Sequence, residues 1–176
     1  MEYKDKFVNL YWHLKTRSLM EDSALKIFRV GHAADKEACA EIMAASDPWI
    51  TLGMSREYLM DILNDPLNEV FAARMNEEIV GAMVVQTRGA FTGYLKSIAV
   101  KPDWQGRHLG KRMMTFLEEE IFASSSNLFL CVSSFNTRAH NFYQRLGYEQ
   151  IGVLTNYLVN GHHEILMRKT TGPILE

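Results

Sequence analysis

This chain of 176 residues has few of the features that would assign it to a specialised class of protein. Its two cysteines, Cys39 and Cys131, lie in apolar surroundings, are too few for a disulfide framework and suit a reducing compartment. The 19 basic and 21 acidic residues almost balance, so the composition gives no electrostatic case for nucleic-acid binding. No apolar run approaches the roughly 20 residues of a membrane span, and the first residues lack the apolar core of a secretory signal. We therefore predict a cytoplasmic protein without a nucleic-acid or membrane partner.

The residues that are abundant predict one globular domain. Hydrophobic residues make up 47% of the chain and aromatic residues 11%, which is enough for a sizeable core. No internal repeat or Pro/Gly-rich linker divides the sequence, so residues 23–176 are predicted to form a single domain. Residues 1–22 differ, because apolar residues from Phe7 to Leu14 recur at helical spacing and predict an amphipathic extension, helical over about residues 3–20. This extension could pack on the domain or pair two subunits, so we expect a monomer or a homodimer.

The spacing of apolar residues predicts strands and helices in the order β-α-α-β-β-β-α-β-α-β-β. Strands are predicted over residues 25–30, 69–75, 79–86, 94–100, 128–132, 148–159 and 164–168. Helices are predicted over residues 33–45 and 56–63, from residue 109 to about 121, and around residues 139–146. Ser55 and Asn136 are the predicted N-caps of the second and the last of these helices, and Gly147 is predicted to end the last one. The apolar run at 128–132 is typical of a strand buried on both faces. The order fits an α/β (α+β) fold, a mixed and mostly antiparallel sheet with helices on both faces.

The most informative stretch is the glycine-bearing loop at residues 105–111, between a predicted strand and a predicted helix. Helix N-termini carry unpaired N–H groups and the positive end of the helix dipole, so they bind phosphate groups. Gly106 permits backbone conformations closed to other residues, and Gly110 allows a close approach to the first helical turn. Three residues separate these glycines and Arg112 follows Lys111, which does not fit a phosphate-loop nucleotidase. A third glycine for a dinucleotide site is also missing, and an ordinary turn before a helix is the alternative interpretation.

Residues 98–111 resemble the acetyl-CoA motif of the GNAT superfamily of N-acetyltransferases, which reads Gln or Arg, two residues, Gly, one residue, then Gly or Ala. Gln105 and Gly110 match its first and last positions, and His108 stands where the middle glycine is usual. The resemblance implies that main-chain N–H groups of the loop hold the pyrophosphate of acetyl-CoA, while Ile98 and Val100 offer main-chain groups to its pantetheine arm. The residues that it assigns to the cofactor are Ile98, Ala99, Val100, Gln105, Gly106, Arg107, His108, Leu109, Gly110, Lys111, Asn136 and Tyr143.

A second motif lies one predicted helix and one predicted strand later. Residues 136–148 read Asn, two residues, Ala, two residues, Phe-Tyr, and then Leu-Gly-Tyr, which is similar to the other recurrent motif of the same superfamily. The resemblance implies direct attack of an amine on acetyl-CoA in a ternary complex, with Tyr143 as the general acid that protonates the departing thiolate. Asn136 would contact the pantetheine arm or order the start of the helix. Taken by itself, Tyr143 could instead be a core aromatic residue.

The residue that removes the proton of the amine is not evident from the sequence. The chain generally resembles the ribosomal-protein alanine N-acetyltransferases, which carry a glutamate in the strand where this sequence has Cys131. Cys131 is a poor substitute for a carboxylate and is expected to be a buried structural thiol. Glu164, His162 and His163 are candidates for a base that acts through water, but all three are expected to be solvated loop residues. The adjacent histidines do not have the spacing of a zinc site, so no metal is expected.

The acceptor is expected to be a small-molecule amine or the amine of a protein or peptide. Trp49, Tyr94 and Tyr157 are the candidates for its binding site, since such pockets combine aromatic surface with polar groups. Two other functions stay open at this point. One is a non-catalytic acyl-CoA-binding regulatory or interaction module, motivated by His108 and the absent strand glutamate. The other is a stress- or metabolite-sensing partner protein that assembles through residues 3–20.

Overall fold

The computed structural model describes residues 25–89 and 92–175 of the chain. The predicted amphipathic extension at residues 1–22 therefore lies outside the described residues. In the part that is described, no helix is both long enough and apolar enough to cross a membrane.

Seven strands form one sheet in the described part of the chain, and four α-helices connect them. The strands are β1 (Leu25–Arg29), β2 (Asn68–Met75), β3 (Glu78–Gln86), β4 (Tyr94–Val100), β5 (Asn127–Ser133), β6 (Glu149–Leu154) and β7 (Glu164–Thr170). The helices are α1 (Ala33–Ala44), α2 (Arg56–Asn64), α3 (Leu109–Phe122) and α4 (Thr137–Arg145), with a short 3-10 turn at Pro102–Trp104. The strand order is β1-β2-β3-β4-β5-β7-β6, and neighbouring strands are antiparallel except for β4 and β5. The predicted mixed, mostly antiparallel sheet is confirmed.

The helices cover both faces of the sheet because side chains alternate along its strands. On β2, Phe71 and Ala73 point to one face and join the apolar core beneath α3 and α4. Val70 and Ala72 point to the opposite face and join the core beneath α1 and α2. We call these two sides of the sheet the α3–α4 face and the α1–α2 face. The predicted placement of helices on both faces is confirmed.

A β-bulge in the middle of the sheet opens the space for a site. Lys96 is an extra residue in β4, because its two neighbours pair with consecutive residues of β3. A bulged strand bends at the point where two of its residues oppose one residue of the partner strand. The parallel pairing of β4 with β5 ends immediately before the bulge, at Leu95 and Leu130. Beyond this point the two strands separate, and in the described structure the edge of β4 that faces β5 forms no further backbone pairing with it.

The predicted end of the sixth strand is wrong. β6 ends at Leu154 rather than at residue 159. Asn156 adopts a left-handed backbone conformation with φ of 51°, and its side chain accepts a hydrogen bond from the N–H of Gly161 at 2.9 Å. This contact closes a loop that returns the chain to β7, so Tyr157 lies in the loop and not on a strand.

The prediction that β5 is buried on both faces is also wrong. Leu128, Leu130 and Val132 point to the α3–α4 face and are buried in its core. Phe129 and Cys131 alternate with them, point to the α1–α2 face and are only half-buried. The second face is only half-buried because neither helix of the α1–α2 face packs closely over this part of β5. The continuous apolar run in the sequence does not reveal this difference between the two faces.

The ends of α2 and α4 are built as the sequence predicts. Ser55 caps α2, and Asn136 caps α4, each by accepting a hydrogen bond from the N–H three residues further on, at 3.2 and 3.0 Å. At the other end of α4, Gly147 has a φ of 87°, and the N–H of Tyr148 donates to the carbonyl of Tyr143 at 3.0 Å. This bond belongs to a Schellman motif, which ends a helix at a left-handed residue. Both ends of α4 are therefore defined, which holds Tyr143 in a fixed position.

Candidate active site

A cavity of about 1190 Å³ lies where β4 and β5 separate. On the α3–α4 face, its lining includes the loop before α3 and the inner side of α4, with Gly106, Gly110 and Tyr143. On the α1–α2 face, its lining includes Trp49 and the α2 residue Tyr58. Because the gap between the two strands joins the faces, the cavity passes through the sheet. Two ligands can therefore meet in it from opposite sides.

The loop before α3 is shaped to bind an anion through its main chain. Gly106 and His108 both adopt left-handed conformations, with φ of 76° and 59°, and α3 begins at Leu109. No side chain caps this helix start, so its first N–H groups are free of the partner that a capped helix would have. An added Cβ at Gly106 would meet no atom within 4 Å. A glycine is therefore favoured here by the left-handed backbone conformation and not by a lack of space for a side chain.

Gln105 ties the loop to both neighbouring elements. Its Nε2 donates to the carbonyl of Val100 at the end of β4 (3.1 Å), and its Oε1 accepts from Nη1 of Arg138 on α4 (3.2 Å). The two sequence motifs are thus physically linked through one amide side chain. Arg138 also lines the cavity, which the sequence analysis missed, although it lies within the second motif.

The structure brings nearly all predicted cofactor residues together around the cavity. Those that line it are Ile98, Ala99, Val100, Gln105, Gly106, His108, Leu109, Gly110, Lys111, Asn136 and Tyr143. The exception is Arg107, whose guanidinium lies over the ring of Trp104 at 4.8 Å from its centroid and is outside the lining. Arg107 therefore contributes its main chain to the loop, while its guanidinium packs on Trp104, which does line the cavity.

Tyr143 is at once a core residue and a cavity residue. Its side chain is buried, and its ring makes edge contacts with the rings of Phe142 and Tyr148, with centroids 5.2 and 5.7 Å apart. Burial raises the pKa of the phenol well above its ordinary value. The hydroxyl is therefore protonated across the physiological range and is available as a proton donor where the cavity reaches it.

The predicted acceptor residues lie on the other side of the gap. Trp49 is buried and donates from Nε1 to Oγ of Ser97 at 3.2 Å, which fixes the indole against β4. Tyr94 and Tyr157 also line the cavity, and Tyr157 is largely exposed at its rim. Tyr58, which was not predicted from the sequence, lines the same side from α2. The signal for Tyr58 was its place on a short amphipathic helix next to the segment that holds Trp49.

The expectation that Glu164 is a solvated loop residue is wrong. Glu164 is the first residue of β7, lines the cavity and is only 3% exposed. Oγ of Ser133 donates to its Oε1 at 2.6 Å. Burial raises the pKa of this carboxyl, while the hydrogen bond from Ser133 and the nearby His162 act in the opposite direction. His163 is exposed, as expected.

Cys131 lines the same part of the cavity and is only half-buried, so the expectation of a buried structural thiol is wrong. Burial raises the pKa of the thiol, although a hydrogen bond with Tyr94 opposes this shift. A thiol with a raised pKa is mostly protonated at neutral pH and is a weak nucleophile and a weak base. Among the groups on this side of the cavity, the carboxylate of Glu164 is better suited to accept a proton.

The fold and the cavity define a class of protein before any comparison. They suit a transferase that binds a phosphate-bearing donor, because an uncapped helix start and a buried phenol both lie beside the gap in the sheet. A sequence profile of the acetyltransferase (GNAT) family matches residues 36–148, which is more than half of the chain. The chain belongs to this family. It is an acetyl-CoA-dependent N-acetyltransferase, with acetyl-CoA as its co-substrate.

Individual relatives agree with this assignment. N-alpha-acetyltransferase RimI of Mycobacterium tuberculosis is 30% identical over 147 residues, covering 79% of this chain and 89% of that protein. The crystal structure of the ribosomal-protein-S18-alanine N-acetyltransferase from Escherichia coli matches with a TM-score of 0.68 at 20% identity, over 85% of this chain and 95% of that one. An aminoglycoside 6'-N-acetyltransferase complexed with coenzyme A gives a TM-score of 0.67 at 21% identity, over 86% and 99%. The predicted resemblance to the superfamily and to its ribosomal-protein alanine branch is confirmed.

Proposed function

We propose that this protein moves an acetyl group from acetyl-CoA to a primary amine by direct attack in a ternary complex, with Tyr143 as the general acid. The observation that carries the proposal is the cavity through the sheet. It joins a main-chain anion site on the α3–α4 face to an aromatic chamber on the α1–α2 face, and Tyr143 lines it. Two substrates that enter from opposite faces can react without a covalent enzyme intermediate.

The described residues fit acetyl-CoA. The N–H groups between Gly106 and Lys111 suit its pyrophosphate, because the loop leads through left-handed residues into a helix start that no side chain caps. Beyond the bulge, Ile98 and Val100 lie on the strand edge that faces the gap, where main-chain groups suit the amides of the pantetheine arm. Bound acetyl-CoA supplies a thioester, whose carbonyl carbon is attacked and whose sulfur leaves.

Tyr143 assists by giving a proton to the leaving sulfur. Its raised pKa keeps the phenol protonated, and its ring is held by the packing of α4 against Phe142 and Tyr148. A donor whose position is fixed before the reaction loses little entropy when it acts. Asn136 orders the start of α4, because its Oδ1 caps the helix, and it also lines the cavity where the pantetheine arm would lie.

The acceptor side suits an amine with a single positive charge. The charged residues that line it are Asp47, Lys96 and Glu164. Asp47 is already an acceptor for the hydroxyl of Thr51 at 2.7 Å, and Lys96, which lies 3.9 Å from the carboxylate of Asp65, brings a positive charge to the lining. A polycationic aminoglycoside would meet poor charge complementarity here. The terminal amine of a peptide, which the name of the mycobacterial relative also suggests, is the acceptor that we favour.

Initial-rate kinetics with acetyl-CoA and a panel of amines test this function. The panel holds peptides with a free N-terminus, the same peptides with a blocked N-terminus and an internal lysine, small monoamines, and an aminoglycoside. We expect release of free thiol with the free peptides, and intersecting rather than parallel double-reciprocal lines, because both substrates bind before reaction. Binding of acetyl-CoA without turnover of any amine would instead support a non-catalytic binding module. A cytoplasmic location and a monomeric or homodimeric state stay predictions.

A further inference from the structure

We propose that Glu164 is the general base that takes the proton from the acceptor amine, and that Ser133 is the positioning residue that holds its carboxylate. The inference rests on the proposed function, since it names a further residue for the same transfer. It is carried by the place of Glu164 in the sheet, by its burial and by its single short hydrogen bond.

The register of the sheet places Glu164 on the acceptor side of the cavity. Ser133 and Glu164 are paired residues of β5 and β7, so their side chains share one face. The apolar residues of β5 that alternate with Ser133 belong to the α3–α4 core, so Ser133 and Glu164 face the α1–α2 side. Cys131 precedes Ser133 by two residues and therefore shares this face. A carboxylate from β7 thus stands beside the half-buried thiol of β5.

The surroundings of Glu164 favour a base over a structural ion pair. Among the described residues, no Lys or Arg forms a salt bridge with it, and its one recorded side-chain hydrogen bond comes from Ser133 to Oε1. A buried carboxylate without a salt bridge to Lys or Arg is costly to keep, so a structural role explains it poorly. The titratable groups that act on it are His162 from the preceding loop, Cys131 from β5 and Tyr94 from β4.

The proposed step balances with Tyr143 on the other side of the reacting atoms. The acceptor enters as an ammonium, and Glu164 takes one of its protons, which leaves the nitrogen lone pair free. The nitrogen then forms a bond to the thioester carbonyl carbon, while the C–S bond breaks and its electron pair stays on sulfur. Tyr143 gives the sulfur a proton. The nitrogen loses its second proton to solvent, and both Glu164 and Tyr143 return to their starting states by exchange with solvent.

The main test is Glu164→Gln, with Glu119→Gln on the exposed side of α3 as the matched control. The glutamine keeps the acceptor for the Ser133 hydroxyl, so the variant should fold. A general base contributes about 10²–10⁴-fold, so we expect kcat to fall at least 100-fold in Glu164→Gln and not in Glu119→Gln. The affinity for acetyl-CoA, measured by calorimetry, should stay within twofold.

A pH profile separates a base from a residue that merely supports the fold. Glu164 must be charged to act, so kcat/KM of the unaltered protein should fall as pH drops through its raised pKa. That acidic limb should disappear in Glu164→Gln and persist in His162→Asn. Ser133→Ala removes a hydrogen bond that favours the charged carboxylate, so the limb should move to higher pH, and Ser133→Thr should restore it.

Thermal unfolding gives a readout that does not need activity. Because the pKa of Glu164 is raised in the folded state, the native protein binds this proton more tightly than the unfolded chain does. Its contribution to stability therefore falls as pH rises through the raised pKa, and the Tm of Glu164→Gln at neutral pH should equal or exceed that of the unaltered protein. Equal turnover and an unchanged pH profile in Glu164→Gln would overturn this inference alone. Absence of turnover by the unaltered protein on every amine would overturn the proposed function and the inference with it.

Discussion

On the α3–α4 face the cavity is lined by two nearly continuous stretches of chain, residues 98–111 and 136–146, whereas on the α1–α2 face it draws on several separated segments. The first side offers main-chain groups and helix ends, which suit the parts that every molecule of a cofactor shares. The second side offers side chains such as Trp49, Tyr58 and Glu164, which come from the segment between α1 and α2, from α2 itself and from β7. The comparison teaches that a main-chain site leaves a local sequence motif, while a side-chain site is spread over the chain.

The largest expected effect concerns Tyr143, the proposed general acid, which lines the cavity from α4. Tyr143→Phe removes only a hydroxyl and keeps the ring that packs against Phe142 and Tyr148, so the fold should survive. We expect kcat to fall at least 100-fold, since a general acid contributes about 10²–10⁴-fold, with little change in acetyl-CoA affinity. The measurement is steady-state acetylation of the active amine.

Tyr148→Phe is the matched control, because Tyr148 is a buried phenol of the same core that does not line the cavity. Its turnover should stay close to that of the unaltered protein. Equal turnover in Tyr143→Phe would make Tyr143 a packing residue and would remove the proposed general acid from the reaction.

The next effect tests whether the α3–α4 face alone holds the cofactor. Gly110 lines the cavity on the first turn of α3, and a Cβ there would lie 3.6 Å from the ring of Phe142, an ordinary contact. Gly110→Ala should therefore fold normally, whereas the indole of Gly110→Trp should block the approach of the cofactor to the helix start. We expect calorimetry to show at least a tenfold loss of acetyl-CoA affinity in Gly110→Trp.

Gly31→Trp is the control, since an added side chain at Gly31 meets open space in the loop between β1 and α1. Its affinity for acetyl-CoA should not change. A folded Gly110→Trp that binds acetyl-CoA as tightly as the unaltered protein would contradict the assignment of the loop.

A smaller effect compares the helix caps on the two faces. Asn136→Ala and Ser55→Ala each remove a side-chain acceptor from a helix start, which should cost about 1 kcal/mol of the free energy of unfolding in both cases. Denaturant titration measures this loss. Only Asn136→Ala should also weaken acetyl-CoA binding, because Asn136 lines the cavity and Ser55 does not. Equal binding by both variants would reduce Asn136 to a structural cap.

The smallest effect concerns His108, which holds a left-handed conformation of the kind that glycine adopts without strain. His108→Gly should gain about 0.5–1 kcal/mol of stability, since relief of strain exceeds the added freedom of the unfolded chain. Asn76→Gly, at a left-handed position in the β2–β3 turn away from the cavity, should gain less, because asparagine tolerates this conformation with little strain.

Acetyl-CoA should bind His108→Gly at least as tightly as the unaltered protein, which calorimetry measures. A tenfold weaker affinity, about 1.4 kcal/mol, would mean that the imidazole itself contacts the cofactor. The loop would then bind the cofactor partly through a side chain, which would contradict the distinction between a main-chain side and a side-chain side of the cavity.

Much of the fold could be read from the sequence because local chemistry dictates it. Alternating apolar residues and helical stripes gave the order of strands and helices, and Ser55, Asn136 and Gly147 marked helix ends through caps that need only neighbouring residues. The end of β6 was misjudged, because the left-handed turn at Asn156 depends on a contact with Gly161 that the strand pattern does not contain.

The sequence by itself determined the family motifs, the position of the loop before α3 and the place of Tyr143 on a helix that follows it. Each depends on residues close together in the chain, where spacing and backbone preference act directly. Only the tertiary structure decided that a bulge at Lys96 would part β4 from β5, and that Glu164 would be buried opposite Ser133. Strand register and burial are set by packing between distant segments, so a glutamate beside two histidines looked like a solvated loop residue until the sheet placed it in the cavity.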